Sequence, residues 1–204
     1  SLDKLGSAFE SGTKNDNDDF LAFIGYPPVL DSIVTLLLEE RNYHRLLEEI
    51  KGQDSVDVEI TLLHRIARYI LQREKEQKII PNILEPLVAA IPGHMRDEAS
   101  KTAFGVEEQC MRLVSFCLGK PLSLQRIEER SVNEKYEAQL LAFLPEHPFI
   151  NGRHFRNAIF ESLALATLMM SDDSQCVDLV LEYVRSHKYS YHLIYLLHSI
   201  VGDR

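Results

Sequence analysis

Tryptophan is absent from this 204-residue chain, and cysteine, at three residues, is too scarce and too odd in number for a disulfide framework. Cys110 and Cys117 stand seven positions apart in one apolar-periodic stretch, which places them about 10 Å apart along a helix axis and out of disulfide range. All three thiols, Cys176 included, are therefore expected to be reduced and buried, as in a cytoplasmic protein. Basic residues are outnumbered, 22 Lys and Arg against 31 Asp and Glu, a net charge of −9. That balance argues against a nucleic-acid binder, whose affinity rests on clustered cations. No apolar run approaches the ~20 residues a membrane-spanning helix needs, and no charged-then-apolar leader opens the chain. The first residue is Ser1 rather than Met, so a piece of a longer protein is expected. Proline (8) and glycine (9) are also few.

What is present is helical periodicity. From Asp18 onward apolar residues recur at a period close to 3.6 nearly everywhere, which makes the expected fold class all-α, with about nine to ten helices in an antiparallel array. A short helix over 19–24 stops at Gly25. Pro27-Pro28 open a second helix whose buried stripe should be Val29, Leu30, Ile33, Val34 and Leu37. A third carries Tyr43, Leu46, Leu47 and Ile50. The longest, roughly 55–78, has Val56, Ile60, Leu63, Ile66, Ala67 and Ile70 inward and a charged end from Gln72 to Lys78. Pro81 should begin a separate helix that Pro92-Gly93 ends. Helices over 106–118, closed by Gly119-Lys120-Pro121, and over 131–144, with Tyr136, Leu140, Leu141 and Leu144 inward, come next. One short β-hairpin is expected at about 147–155, on a type I′ turn at Asn151-Gly152. Asn157 should cap an apolar helix, followed by amphipathic helices over 175–186 and about 190–201. No repeat of 33–47 residues recurs.

The motifs of known chemistries are missing from the sequence. There is no HExxH, and His187, His192 and His198 are five and six apart, on different faces of a helix. The run Asn15–Asp19 resembles the start of a calcium loop but has Phe20 where the turn glycine belongs and Tyr26 where the closing Glu belongs. There is no GxSxG, and no Gly-rich loop followed by Lys-Ser or Lys-Thr that could cradle a triphosphate. The carboxylate pairs Glu39-Glu40, Glu48-Glu49, Glu107-Glu108 and Glu128-Glu129 are expected on solvent faces. Arg65, Arg68, Arg73, Lys75 and Lys78 form the best basic feature, but Glu59, Glu74 and Glu76 interleave with them.

Two stretches stand out. Phe23-Ile24-Gly25-Tyr26-Pro27-Pro28-Val29-Leu30 resembles the Gly-x-Pro segment downstream of the P-loop domain in STAND NTPases, the NACHT and NB-ARC-like signalling ATPases. Phe155-Arg156-Asn157-Ala158-Ile159-Phe160-Glu161, right after the hairpin, is similar to the F-x-H-x-x-F-x-E stretch in the winged-helix region of the same class, and Arg73-Glu74-Lys75-Glu76 suits its bacterial members. The resemblance spans about residues 18–170. The small, polar, aperiodic composition of the N-terminus makes 1–17 an expected flexible segment, and the resemblance implies a lid-like helical bundle over 18–120 and a winged-helix-like and C-terminal helical part over 121–204. It places Gly25, Pro27 and Asn157 near a nucleotide held mainly by an upstream P-loop domain. Pro27 would close over the adenine side, and Asn157 stands where family members often carry a nucleotide-sensing His. Asn cannot carry that charge, and its residue type suits an ordinary helix cap better.

The function so implied is a non-catalytic, nucleotide-dependent conformational switch in a larger ATPase. ADP or ATP would be bound only together with the upstream domain, and no cofactor or metal would belong to this chain itself. Its partner would be that nucleotide-binding domain or another protein, with neither nucleic acid nor membrane involved and an oligomer possible. The alternative is a free-standing all-α adaptor, whose stripe Leu193, Ile194, Leu196, Leu197, Ile200 and Val201 needs a cover. A helical enzyme with an unrecognised motif is the third reading.

Overall fold

The computed structural model describes residues 21–38, 44, 48, 51, 55–90, 105–120, 122 and 130–186. The expected segment 1–17, the helix around Tyr43–Ile50 as a whole, the helix over 190–201, and His187, His192 and His198 lie outside them. So do Glu39-Glu40, Glu49 and Glu128-Glu129. Among the described residues the chain is mostly helical, with seven α-helices and one two-stranded antiparallel sheet. We number the helices α1 (Pro27–Leu38), α2 (Ser55–Glu74), α3 (Glu85–Ala90), α4 (Val106–Cys117), α5 (Arg130–Phe143), α6 (Ala158–Met169) and α7 (Ser174–Ser186). A π-helix (Lys75–Leu84) joins α2 to α3, and a 3₁₀ turn (Leu144–Glu146) leads into strands β1 (Ile150–Asn151) and β2 (His154–Phe155).

Seven α-helices are fewer than nine to ten partly because two expected helices, around 43–50 and over 190–201, lie outside the described residues. The separation expected before Pro81 is also not there: α2, the π-helix and α3 run on without a break from residue 55 to 90. In an α-helix Pro81 would lack an N–H and press its ring on the carbonyl four residues back. The π-helix registers bonds one residue further apart, as in the Glu85 N–H donating to the Ile80 carbonyl, and so carries the proline through.

The backbone contacts divide the chain into two compact units, one comprising 1–70, 157–163 and 189–204, the other 71–156 and 164–188. In the first, Phe23, Val29, Leu63, Ile66, Ala67, Ile70, Ile159 and Phe160 are buried. The stripe expected on α1 is corrected here: Val29 is buried, but Leu30, Val34 and Leu37 are exposed, and Leu38 is 78% exposed. Helix α1 is apolar over nearly its whole circumference, so its period cannot select a face. The inward arc centres on Val29 and takes in Ser32, whose hydroxyl donates to the Pro28 carbonyl at 2.6 Å and so enters without an unpaired proton.

In the second unit α4 lies against α7, α5 lies against the π-helix, and β1 sits beside the 3₁₀ turn. Buried Cys110, Leu113, Val114, Tyr136, Leu140, Phe149, Cys176, Val180 and Tyr183 form its apolar core, and all three cysteines are free and buried. Helix α4 ends in a Schellman arrangement. Lys120 N–H donates to Ser115 C=O and Gly119 N–H to Phe116 C=O, with Gly119 at φ +71°. The hairpin turn is shifted by one residue from expectation. Asn151 pairs with His154, so the loop residues are Gly152 and Arg153. Gly152 alone has positive φ (+65°), the pattern of a type II′ turn, in place of the type I′ turn expected at Asn151-Gly152.

Candidate functional site

The residues singled out by sequence, Gly25, Pro27 and Asn157, all belong to the first unit. The elbow before α1 forms because Gly25 closes a helical turn, its N–H donating to the Leu21 carbonyl at 2.9 Å. A Cβ there would stand 3.1 Å from that same oxygen. The Tyr26 carbonyl then accepts from the Val29 and Leu30 N–H groups, while Pro27 and Pro28 have no N–H to leave orphaned in the first turn. Pro27 itself is exposed.

Asn157 caps α6: its Oδ1 accepts from the Ile159 N–H at 2.7 Å, and its carbonyl accepts from Glu161. The rings beside these residues meet. Phe160 lies edge-on to Phe23 at 5.2 Å and to Tyr26 at 6.4 Å between centroids. The two stretches that stand out in the sequence, more than 120 positions apart, thus share one aromatic contact.

A second site lies wholly in the other unit, where sequence reasoning placed nothing. A cavity of about 420 Å³ opens between the C-terminal end of α4, α5 and the hairpin turn. Its walls are Phe116, Leu122, Leu141 and Leu144, with Ala138 and Gly119 leaving room. Arg112, Glu137, Lys120 and Arg153 supply its charge.

These charged groups are not equivalent. Arg112, 3% exposed, gives hydrogen bonds from Nε (3.0 Å) and Nη2 (2.7 Å) to Glu108 and from Nη1 (2.6 Å) and Nη2 (2.9 Å) to Glu137. Burial alone would lower its pKa, but the hydrogen bonds and charges of Glu137 and Glu108 outweigh that and hold it above the ordinary value. Lys120 pairs with Glu182. Arg153 has no ion pair or hydrogen bond among the described residues, and its Nη1 lies 2.9 Å from where a Cβ on Gly119 would stand.

The expectation that Glu107-Glu108 and the charged end of the long helix face solvent is corrected at two positions. Glu108 is buried on Arg112, one helical turn on, and Glu74 is buried with Lys78 at 2.7 Å, close but not aligned as a hydrogen bond. The signal available in the sequence was the i, i+4 spacing Glu108–Arg112 inside an otherwise apolar helix. Glu137, 25 positions away, could be found only by packing.

Two histidines, His147 buried and His64 half-buried, complete the electrostatics. His147 in the hairpin approach accepts the Phe149 N–H on Nδ1 at 3.1 Å and lies edge-on to Phe143 and Phe149. Burial, reinforced by the Lys78 charge, pushes its pKa down to about 3. Burial, with help from Arg68, lowers His64 to about 4. Both are neutral at pH 7 and suit neither proton transfer nor charge sensing there. Burial raises the Cys176 thiol pKa against a hydrogen bond from Ser171, and the charges of Glu107 and Asp173 add to the rise. Among the described residues no group of three or more His, Cys, Asp or Glu is placed to hold a metal, and no helix is long and apolar enough to cross a membrane.

Compared with known proteins, the chain matches no family model, no curated protein and no solved structure.

Proposed function

We infer that the chain is a regulatory and interaction segment of a larger STAND-type ATPase, with a lid-like and winged-helix-like part, working as a nucleotide-dependent switch and performing no catalysis itself. The observation that supports this reading is the contact of Phe160 with Phe23 and Tyr26. The Gly25–Pro27 elbow and the Asn157-capped helix α6 are the two stretches that resemble the family, and a switch that reads a nucleotide at one must be mechanically joined to the other. Ring-on-ring packing at 5.2 Å supplies such a joint. Asn157 contributes by fixing the start of α6, with Oδ1 occupied by the Ile159 N–H.

The test has two stages. The gene should encode a P-loop domain in frame upstream of Ser1; a stop codon or an unrelated domain there ends the proposal. In the full-length protein, exchanging ADP for ATP should change amide hydrogen exchange in 21–30 and 157–163. Unchanged exchange in both stretches overturns the switch.

The second reading, a free-standing all-α adaptor, is favoured by one observation, the exposed stripe Leu30, Val34, Leu37 and Leu38 on α1. A reading frame confined to these residues selects it.

A further inference from the structure

We propose that the cavity between α4, α5 and the hairpin turn is a binding site for a small amphipathic monoanion, an aliphatic carboxylate. Size and lining come first. At about 420 Å³ with walls of Phe116, Leu122, Leu141 and Leu144, the cavity is of the kind that takes a small apolar ligand body oriented by a few polar groups.

Charge chooses the headgroup. Arg112 is held between two carboxylates, Glu108 and Glu137, which leaves that group one negative charge in excess, and Lys120 is paired with Glu182, so neither cation is available to a ligand anion. Arg153 is left as the one lining cation without a carboxylate partner among the described residues. Its guanidinium is a local donor for a single anionic headgroup, in a site whose charges sum to zero before a ligand enters. A phosphate monoester, carrying nearly two charges, would bring its second against Glu137 and Glu182. The planar fork of an arginine also fits a carboxylate through two parallel hydrogen bonds.

The local structure around Arg153 serves this arrangement. The shifted turn makes Arg153 a loop residue instead of a strand residue. Gly119, left-handed at the end of α4, leaves the space its guanidinium occupies. A Cβ at position 119 would stand 2.9 Å from Arg153 Nη1, so the guanidinium would have to shift, and the φ of +71° would be strained for any other residue.

Calorimetric titration of the whole chain with the straight-chain carboxylates hexanoate, octanoate and decanoate tests the site. Affinity should rise about fourfold per added methylene until the cavity is full. Octanoate should bind better than 1-octanol or octylammonium, and its affinity should fall with added salt. Arg153→Gln, at an exposed turn, should weaken octanoate about 10- to 100-fold with the thermal midpoint unchanged. Ala138→Phe fills the space without removing a contact and should abolish binding.

The site is refuted if octanoate produces no heat. The assignment also fails if 1-octanol matches octanoate, if R153Q binds like the wild type, or if A138F still binds. Tighter binding of octyl phosphate than of octanoate overturns the choice of a monoanionic carboxylate.

Discussion

Helices α1 and α4 have the same length, twelve residues, and opposite fates. Helix α1 is the more apolar by composition, yet only Val29 and Ser32 are fully buried. Helix α4 contains Glu107, Glu108, Gln109 and Arg112 and buries nine of its twelve residues, three of these four polar ones among them. Apolar content therefore does not rank burial in this chain. A helix buries what its neighbours cover; the buried Gln109 amide has no hydrogen-bond partner among the described residues, whereas some other polar residues go inward with partners. Ser32 does so with a backbone carbonyl, and Arg112 does so with two carboxylates.

The widest difference should appear at Arg112. Arg112→Met leaves Glu108 buried without its cation and should cost about 3–5 kcal/mol, measured by urea unfolding. Adding Glu108→Leu and Glu137→Leu should recover most of the loss, because a buried ion group has little net worth over a packed apolar one. If the single variant unfolds like the wild type, the contrast between α4 and α1 is broken.

Acid separates the two units through one histidine in each. The folded pKa values, about 4 for His64 and about 3 for His147, lie below the ordinary 6.5. The unfolded chain therefore binds more protons between these limits. The contribution is complete above pH 6.5 and is lost as the pH falls toward 3–4, by up to about 1.4 kcal/mol per pH unit for each histidine. His64→Leu and His147→Asn should each flatten part of the acid limb, and an unaltered limb in both would remove histidine burial as its cause.

The smallest effect is the sharpest test of α1. Val29→Ala at a fully buried position should cost about 2 kcal/mol. Val34→Ala, 51% exposed on the same helix, should stay within about 0.5 kcal/mol. Equal costs would mean that the Val34 face is covered in solution, as the adaptor reading requires.

Much of this was legible in local pattern. The stop at Gly119, the cap at Asn157, the helical turn closed by Gly25 and the inward set Leu63, Ile66, Ala67 and Ile70 are each decided by neighbours within a turn or two. The cavity was not legible. Its charged lining joins Arg112, Glu137 and Arg153 from three elements, and the decisive Arg153 depends on a one-residue shift in hairpin register. The π-helix was hidden for a related reason: proline marks where an α-helix is strained but not whether the backbone breaks or widens there.

By itself, then, the sequence determined that the chain is helical, where most of its helices begin and end, and that its three thiols are buried. These follow from periodicity and capping, which act over a few residues. Tertiary structure alone decided which face of α1 is inward, that Glu74, Glu108 and Arg112 are buried, and that Phe160 meets Phe23. It also decided which lining cation lacks a carboxylate partner among the described residues. Those outcomes depend on what lies across from a side chain, and residues 25 to more than 100 positions away supply it.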